Sequence, residues 1–469
     1  MRRTEALGAW IRPLNDSLRA LVWGPGMLLL YLGTGVWLSI RCGFPQLKHF
    51  GRVLRETAGS LLRRRPRDEG KGLSPFQALS TALAGTVGTG NIAGVTGAIF
   101  LGGPGAVFWM WVAAFFGMCT KFAEIALAVR FRVTDEAGRP RGGPMYTIER
   151  GLGPKYRPLA AAFALLGGLA SFGIGNLAQS SEITAAAQTL FGAPPPVTGL
   201  LLSALVAAVL LGGQRGVGRV TALLVPLMTG LYLLCALPIL ILHVAELPGL
   251  LHLIVRSAFG LRAAGGGAFG WTLRAALRQG FARGVFSNEA GLGSAPMAHA
   301  AASGTPGGQA VWGILEVLID TFVVCTLTAL VVLLSGIWRA PDAAAALPSP
   351  GAAASEAFRL LLPGSGRIIA LCLLFFALSS IIGWGYYGEV CWGYLFRGRA
   401  AIVVFRLLFS LLCLAGALGS GTLMWELSDT LNGLMALPNL ISLLLLSGTA
   451  AAICAEHFAA PEQKETPSA

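Results

Sequence analysis

Between Pro75 and Thr120 the chain carries no Asp, Glu, Lys or Arg. A helix crossing the hydrocarbon core of a bilayer needs about 20 consecutive apolar residues. The stretch is therefore long enough for two, and Gly102-Gly103-Pro104-Gly105 is the natural place to divide them. The rest of the chain is built alike. Of its 469 residues 55% are hydrophobic and only 12% charged, with a mean hydropathy of +0.68. Soluble domains carry roughly 25% charged residues. These facts exclude a water-soluble enzyme and predict an all-α polytopic membrane protein.

Eleven apolar segments can be read along the chain, at 20–40, 75–101, 104–129, 158–190, 194–212, 217–243, 280–302, 309–336, 366–396, 401–418 and 423–454. The loop between the first two holds Arg41, Lys48, Arg52, Arg55, Arg63, Arg64, Arg65, Arg67 and Lys71. The loop after the third holds Arg130, Arg132, Arg139, Arg141, Arg150, Lys155 and Arg157, and alternation puts Arg215, Arg219, Arg397 and Arg399 on the same side. Short basic loops face the cytoplasm. The N-terminus is thus expected outside and the C-terminus inside, although Arg2, Arg3, Arg12 and Arg19 pull the other way. This placement, rather than nucleic acid, accounts for the net charge of +13.

A single membrane domain is expected over residues 20–455, after an N-terminal segment 1–19 and before a polar, disordered tail at 456–469. The stretch 246–277, around the glycines at 265–267, is expected to form short helices on the outer face, and 340–365, rich in Ala, Pro and Ser, an external loop. The eight cysteines fall singly, without a C-x-x-C pair, so neither a metal site nor a redox motif is indicated and no cofactor is expected. The first apolar stretch is long and lacks a small-residue cleavage site, unlike a cleavable signal peptide. Basic loops and unpaired cysteines together fit a bacterial plasma (inner) membrane.

Two segments are interrupted. The second contains Thr86-Val87-Gly88-Thr89-Gly90-Asn91-Ile92-Ala93-Gly94, and the seventh contains Phe286-Ser287-Asn288-Glu289-Ala290-Gly291-Leu292-Gly293-Ser294-Ala295-Pro296. Each sets glycine, amide and hydroxyl groups near the middle of an apolar span. Unwound backbone at membrane depth survives only where it lines a cavity or is buried in protein, and transporter sites are built at such breaks. The amides of Thr89, Gly90 and Asn91, opening a half-helix, would face a carboxylate, because a helix N-terminus carries about half a positive charge. The carbonyls ending the preceding half would face a cation. The plainer alternative is that the glycines only allow helices to pack closely. The interrupted segments lie five spans apart. An odd offset reverses topology, so 75–243 and 280–454 are expected to form a leucine-transporter-type 5+5 inverted repeat. The first helix of each half would be broken, and the N-terminal helix would be an addition.

At these residues the chain resembles the alanine-or-glycine:cation symporter family, also called sodium:alanine symporters. The resemblance runs from about Trp23 to Leu446. Besides both breaks, it includes Ser74-Pro75-Phe76-Gln77-Ala78-Leu79, Gly102-Gly103-Pro104-Gly105-Ala106-Val107-Phe108-Trp109-Met110-Trp111, Gly142-Gly143-Pro144-Met145-Tyr146, Ile319-Asp320-Thr321 and Gly383-Trp384-Gly385-Tyr386-Tyr387-Gly388-Glu389. It implies import of alanine, glycine or a similar small neutral amino acid with sodium. Thr89, Gly90 and Asn91 match the family's carboxylate-binding break, and Gln179, Phe286, Ser287, Asn288 and Trp384 would line the pocket. Ser379 and Ser380 would give hydroxyls to the cation beside backbone oxygens near Thr86 and Val87, since hard cations take oxygen ligands. After Gln179, where the family often shows a small residue and then Asn, this chain has Ser180-Ser181-Glu182.

Ionisable groups inside spans are functional candidates by default. Lys121 and Glu124 stand at i, i+3 and are expected to pair. Glu316 and Asp320 share a face, where Asp320 would hold the helix beside a break. Glu289, inside the second break, would accept hydrogen bonds from freed amides. Glu182, one turn after Gln179, would tune the pocket or take part in proton coupling. Glu389, Glu426 and Asp429 lie near span ends, where gating or snorkelling contacts are ordinary. No cluster of catalytic residues, G-x-S-x-G elbow or phosphate loop is present, so an enzyme is not expected. No repeated filter loop suggests a channel. A proton-coupled or ion-independent carrier of another small amino acid is the alternative to sodium symport.

Overall fold

The computed structural model describes residues 2–61, 72–136, 138–260, 273–339, 347, 349–396, 398–419 and 421–461. The chain folds into helices α1 (Arg2–Val22), α2 (Pro25–Arg41), α3 (Pro75–Thr86), α4 (Gly90–Gly102), α5 (Gly105–Arg130) and α6 (Pro154–Phe191). These are followed by α7 (Pro195–Leu211), α8 (Gly213–Leu242), α9 (Leu247–Phe259), α10 (Leu273–Asn288), α11 (Ala295–His299) and α12 (Pro306–Ser335). Last come α13 (Pro350–Leu361), α14 (Ser365–Leu395), α15 (Arg399–Leu418), α16 (Gly421–Leu445) and α17 (Ser447–Ala459). The strands among the described residues form one short antiparallel ladder, Val133–Thr134 with Pro140–Arg141.

Among the described residues seven helices are long and apolar enough to cross a membrane, or up to nine if two bent pairs each count as a span. One bent pair is α3 with α4, at 50°. The other joins Glu426–Leu445 to α17 at 66°, a bend that the apolar run 423–454 does not announce. The periphery is greasy: Leu200, Leu223, Leu234 and Leu411 are each more than 60% exposed. In water such a surface would aggregate; against lipid tails it is the expected one. The helix α5 lies at the centre, with 83% of its apolar window buried.

Local chemistry sets the ends. Ser74 caps α3 with a reciprocal box: its hydroxyl accepts from the Gln77 amide at 3.1 Å and the Gln77 side chain accepts from the Ser74 amide at 3.0 Å. That satisfies two of the orphan donors of a helix start. The helix α14 packs antiparallel to α3 at very short range. A Cβ at Gly383 would come within 2.9 Å of the Gly85 nitrogen, and the Tyr387 hydroxyl reaches the Thr81 carbonyl at 3.4 Å. Small residues at helix crossings are what permit such approach in membranes.

Two expectations need correction. The stretch 340–365 is not simply a loop: Pro350–Leu361 is a helix capped by Ser349, and it lies on the half-span α4, with Pro350 Cγ 3.7 Å from where a Gly97 Cβ would be. Gly351, Ala353, Ala354 and Ala357, with Phe358, form its buried face, and a composition rich in small residues concealed it. The tail begins later than 456, because α17 continues to Ala459. Arg52 donates to the carbonyls of His457, Phe458 and Ala460, and Glu56 meets His457 at 2.9 Å, so the end of α17 is clamped. The stretch 246–277 is helical over α9, whose Ala258 carbonyl accepts from Trp109. The glycines at 265–267, Arg63, Arg64, Arg65, Arg67, Lys71, Arg397 and the tail 462–469 lie outside the described residues.

Candidate functional site

The first break follows from a run that offers no side chain able to hold an apolar helix together. α3 ends at Thr86, Val87 turns to extended backbone at φ −78°, ψ 91°, and the chain resumes in α4, whose opening turn, Gly90–Gly94, is π-helical. Helix ends leave carbonyls and amides without intrahelical partners, so this bend presents both kinds at one depth. The Asn91 side chain, fully buried, is spent on the protein itself. Its Oδ1 accepts from the Gly88 amide at 2.8 Å, while its Nδ2 donates to Asp320 Oδ1 at 2.6 Å. Of the three residues expected to meet a carboxylate, Asn91 thus has its side chain committed, and its amide donates to the Gly88 carbonyl at 3.2 Å.

The second break has a different construction. α10 stops at Asn288, and Glu289, Gly291 and Gly293 take φ values of 54°, 92° and 85° before α11 begins. Only glycine adopts this region freely; a residue with a Cβ pays about 1–2 kcal/mol. Glu289 is held there by its carboxylate, which accepts from Trp384 Nε1 at 3.1 Å and from the Ser294 hydroxyl. Asn288 braces the same turn, accepting from the Ala290 amide at 3.0 Å and donating to Thr321 Oγ1 at 3.2 Å.

The two breaks come together. A Cβ on Gly90 would stand 3.4 Å from the Phe286 ring and 4.0 Å from Ser287 Cα. Thr89 Oγ1 donates to Gln179 Oε1 at 3.2 Å, and Gln179 in turn donates to the Ile174 carbonyl, freed by a π-helical turn over Gly173–Leu177 within α6. Trp384 packs against the same turn, since a Cβ on Gly175 would lie 2.3 Å from Trp384 Cβ. Thr89, Gly90, Asn91, Gln179, Phe286, Ser287, Asn288 and Trp384 thus surround one region where, Gly90 apart, none is more than 9% exposed. Glu182 lies one turn further along α6 and is half-buried.

Ser379 and Ser380 both donate to the Phe376 carbonyl, at 2.8 and 3.0 Å. A hydroxyl whose hydrogen is committed to a carbonyl keeps its lone pairs for another partner. Ser380 Oγ faces the first break: a Cβ on Gly88 would come 2.5 Å from it. Thr86 and Val87 close α3 immediately before that point. Of the oxygens expected for a cation, that of Ser380 therefore lies at the end of α3 beside Thr86 and Val87, while that of Ser379 is seen on the Phe376 carbonyl.

Sequence comparison decides the family. The sodium:alanine symporter family matches residues 8–469. The chain belongs to that family. It is 45% identical over 441 residues to the sodium/alanine symporter AgcS of Methanococcus maripaludis, covering 93% of this chain and 94% of that one. It is 38% identical to the Bacillus subtilis protein named "Probable sodium/glutamine symporter GlnT", over 91% of this chain and 86% of that one. The amino-acid carrier protein AlsT of the same organism is 36% identical, over 90% and 87%. The family is one of sodium-coupled amino-acid symporters rather than enzymes.

Around the second break the symporter holds charges whose pairing local spacing does not predict. Lys121 does not pair with Glu124. It crosses from α5 to α12 and meets Glu316 at 3.1 Å, with both side chains fully buried. Glu316 also meets His299 Nε2 at 3.3 Å, and the other ring nitrogen of His299 faces Gln309 Nε2 at 2.7 Å. An amide nitrogen only donates, so Nδ1 accepts and Nε2 carries the proton toward Glu316. Glu124 instead accepts from Asn439 at 2.5 Å, and Asn439 also donates to the Gly291 carbonyl at 3.0 Å. Spacing of i, i+3 offered Lys121 a partner on its own helix, but a facing helix offered a better one. The sequence also gave no sign of Cys325, whose sulfur lies 3.3 Å from Asn91 Nδ2 and 3.2 Å from Ser287 Oγ.

Proposed function

We propose that this protein imports a small neutral amino acid, alanine or glycine, together with sodium by alternating access. The amino-acid carboxylate would sit on the backbone amides of Thr89, Gly90 and Asn91. Gln179, Phe286, Ser287, Asn288 and Trp384 would enclose the rest of the molecule, and Glu289 would hold the second break in place. Sodium would take oxygens from Thr86, Val87, Ser379 and Ser380. The observation that carries this reading is the meeting of two interrupted helices, with Gly90 against Phe286 and Ser287 in a water-excluded place. A half-helix start there suits an anion and a half-helix end a cation.

The rings of Phe286, against Gly90, and Trp384, against Gly175, would favour a small substrate over one with a long side chain. On this reading the two halves form a 5+5 inverted repeat of leucine-transporter type. The chain would lie in a bacterial plasma membrane with its basic loops and C-terminus in the cytoplasm.

The test is uptake of radiolabelled alanine and glycine into proteoliposomes, with and without an inward sodium gradient. Sodium-driven accumulation, competed by unlabelled alanine or glycine and not by glutamine, is the expected result. Accumulation driven by a proton gradient alone would sink sodium coupling and turn attention to Glu182. Preference for glutamine would sink the substrate assignment while keeping the fold.

A further inference from the structure

The eight cysteines fall singly along the sequence, yet the fold gathers three of them at one place. Cys42 closes the last turn of α2, Cys119 lies in α5 and Cys454 in α17. The Cys42 thiol stands beside the thiols of both others. Cys454 Sγ also lies 3.5 Å from the Cys42 carbonyl, one of the oxygens that a helix end leaves without an intrahelical partner. One turn further along α17 comes His457, which Glu56 holds.

Access and chemistry single out Cys42. It is the one cysteine of the eight that is not buried. A thiol reacts as its thiolate, and neighbouring donors or cations favour that form. Here the thiols of Cys119 and Cys454, with the Arg41 guanidinium, hold the Cys42 thiol below its ordinary pKa against the opposing effect of burial. The two neighbours differ as partners. Cys119 is fully buried in α5, the central helix, which has 83% of its apolar window covered. Cys454 belongs to a short helix beyond a 66° bend, whose Ala455 and Glu456 are exposed. A disulfide needs its sulfurs to close to about 2.05 Å, and α17 is the element with room to supply that movement.

We propose that Cys42 and Cys454 form a reversible disulfide when the protein meets hydrogen peroxide, with Cys42 the attacking thiol and Cys454 the resolving one. The Cys42 thiolate attacks one peroxide oxygen and the O–O bond breaks. Cys42 becomes a sulfenic acid, and the released hydroxide takes up a proton to leave as water. The Cys454 thiol then attacks the Cys42 sulfur, gives up its proton and expels the sulfenic oxygen as a second water. The two thiols lose two electrons and two protons, and one peroxide becomes two waters. The new bond ties α2 to α17 beside α5. With the basic loops in the cytoplasm, as proposed above, Cys42 lies where thiols are ordinarily kept reduced, so small thiols of the glutathione class reopen the bond.

The experiment treats the purified full chain in detergent with hydrogen peroxide, alkylates the remaining thiols after denaturation and maps peptides by mass spectrometry. A Cys42–Cys454 linked peptide is expected, absent after dithiothreitol. The Cys42 thiol should be lost roughly tenfold faster or more than those of Cys235, Cys372 or Cys413. Cys119→Ala should keep the link. Cys454→Ala should lose it and leave the sulfenic acid on Cys42, where dimedone captures it. The wild-type map decides even where a variant fails to fold.

A Cys42–Cys119 peptide as the main product would overturn the choice of partner and with it the proposal. So would oxidation of Cys42 no faster than that of the buried cysteines, or a disulfide between separate molecules in place of one within the chain. Sodium-driven uptake, which tests the function proposed above, is read independently of all these results.

Discussion

The two breaks solve the same problem, an unwound backbone inside a bilayer, with opposite means. The first, from Thr86 to Gly94, has no ionisable residue of its own and bends 50° through ordinary backbone conformations at Val87 and Thr89. The second turns through three residues of positive φ and is braced by charge: Glu289 within it, Glu124 joined to it through Asn439, and the Lys121–Glu316–His299 chain beside it. A backbone held by left-handed residues and buried ion pairs resists change. One held by an amide and a borrowed carboxylate has fewer fixed partners. On the function proposed above, the second break would be a rigid wall and the first an adaptable, charge-neutral seat, where charge can be left for the ligands to supply.

The largest expected effect breaks the wall. Lys121→Met leaves Glu316 as a buried carboxylate facing only the His299 ring. Removing one partner of a buried pair costs about 3–5 kcal/mol, so the purified variant should aggregate or melt far below the wild type in a detergent thermal-shift assay. Adding Glu316→Gln removes the orphaned charge and should recover most of the loss. Full stability in the single variant would mean that the ion pair does not brace the second break.

A middle-sized effect is expected where the wall meets the site. Trp384→Phe keeps an aromatic ring in place but withdraws the donor that Glu289 Oε1 accepts. Hydrogen bonds to charged groups are worth about 1.5–3 kcal/mol, and with Ser294 alone remaining the left-handed turn should loosen. Alanine uptake is expected to show a half-saturation constant about tenfold higher, equivalent to about 1.4 kcal/mol, with protein yield little altered. An unchanged constant would separate Trp384 from the second break's function.

The contrast also explains what was legible in the residues. Thr86–Gly94 and Phe286–Pro296 stood out because close helix packing accounts for glycines inside apolar runs but not for the amides and hydroxyls set among them. Eleven apolar segments can be read in the sequence, whereas seven of the described helices, or up to nine with the bent pairs, are long and apolar enough to cross a membrane. Long apolar spans such as α5 and α14 were legible from their composition. The 66° bend at Leu446 was not, since leucines precede it and only Ser447 and Gly448 follow. The π-helical turns in α6 and α12 were equally hidden, because inserting one residue changes no composition. The partner of Lys121 lay on another helix altogether. Local pattern records what a segment can do by itself; Lys121, Asp320 and Pro350–Leu361 are placed by what packs against them.

The smallest expected effect probes the adaptable break. In Gly88→Ala the new methyl would arrive 2.5 Å from Ser380 Oγ, closer than any real contact. The obstacle is the end of a short side chain and not backbone, and Gly88 does not need positive φ, so the fold should absorb the change by turning the serine hydroxyl aside. That displacement removes one of the oxygens proposed for sodium and leaves the wall untouched. The sodium half-saturation constant should rise a fewfold while thermal stability and the maximal rate at saturating sodium stay near wild type. Ser380→Ala should reproduce the shift without any clash, and combining the two should add little, because both act through one hydroxyl. If Gly88→Ala instead lowered stability as Lys121→Met is expected to, the first break would be as rigid as the second, and the division between an adaptable seat and a fixed wall would fail.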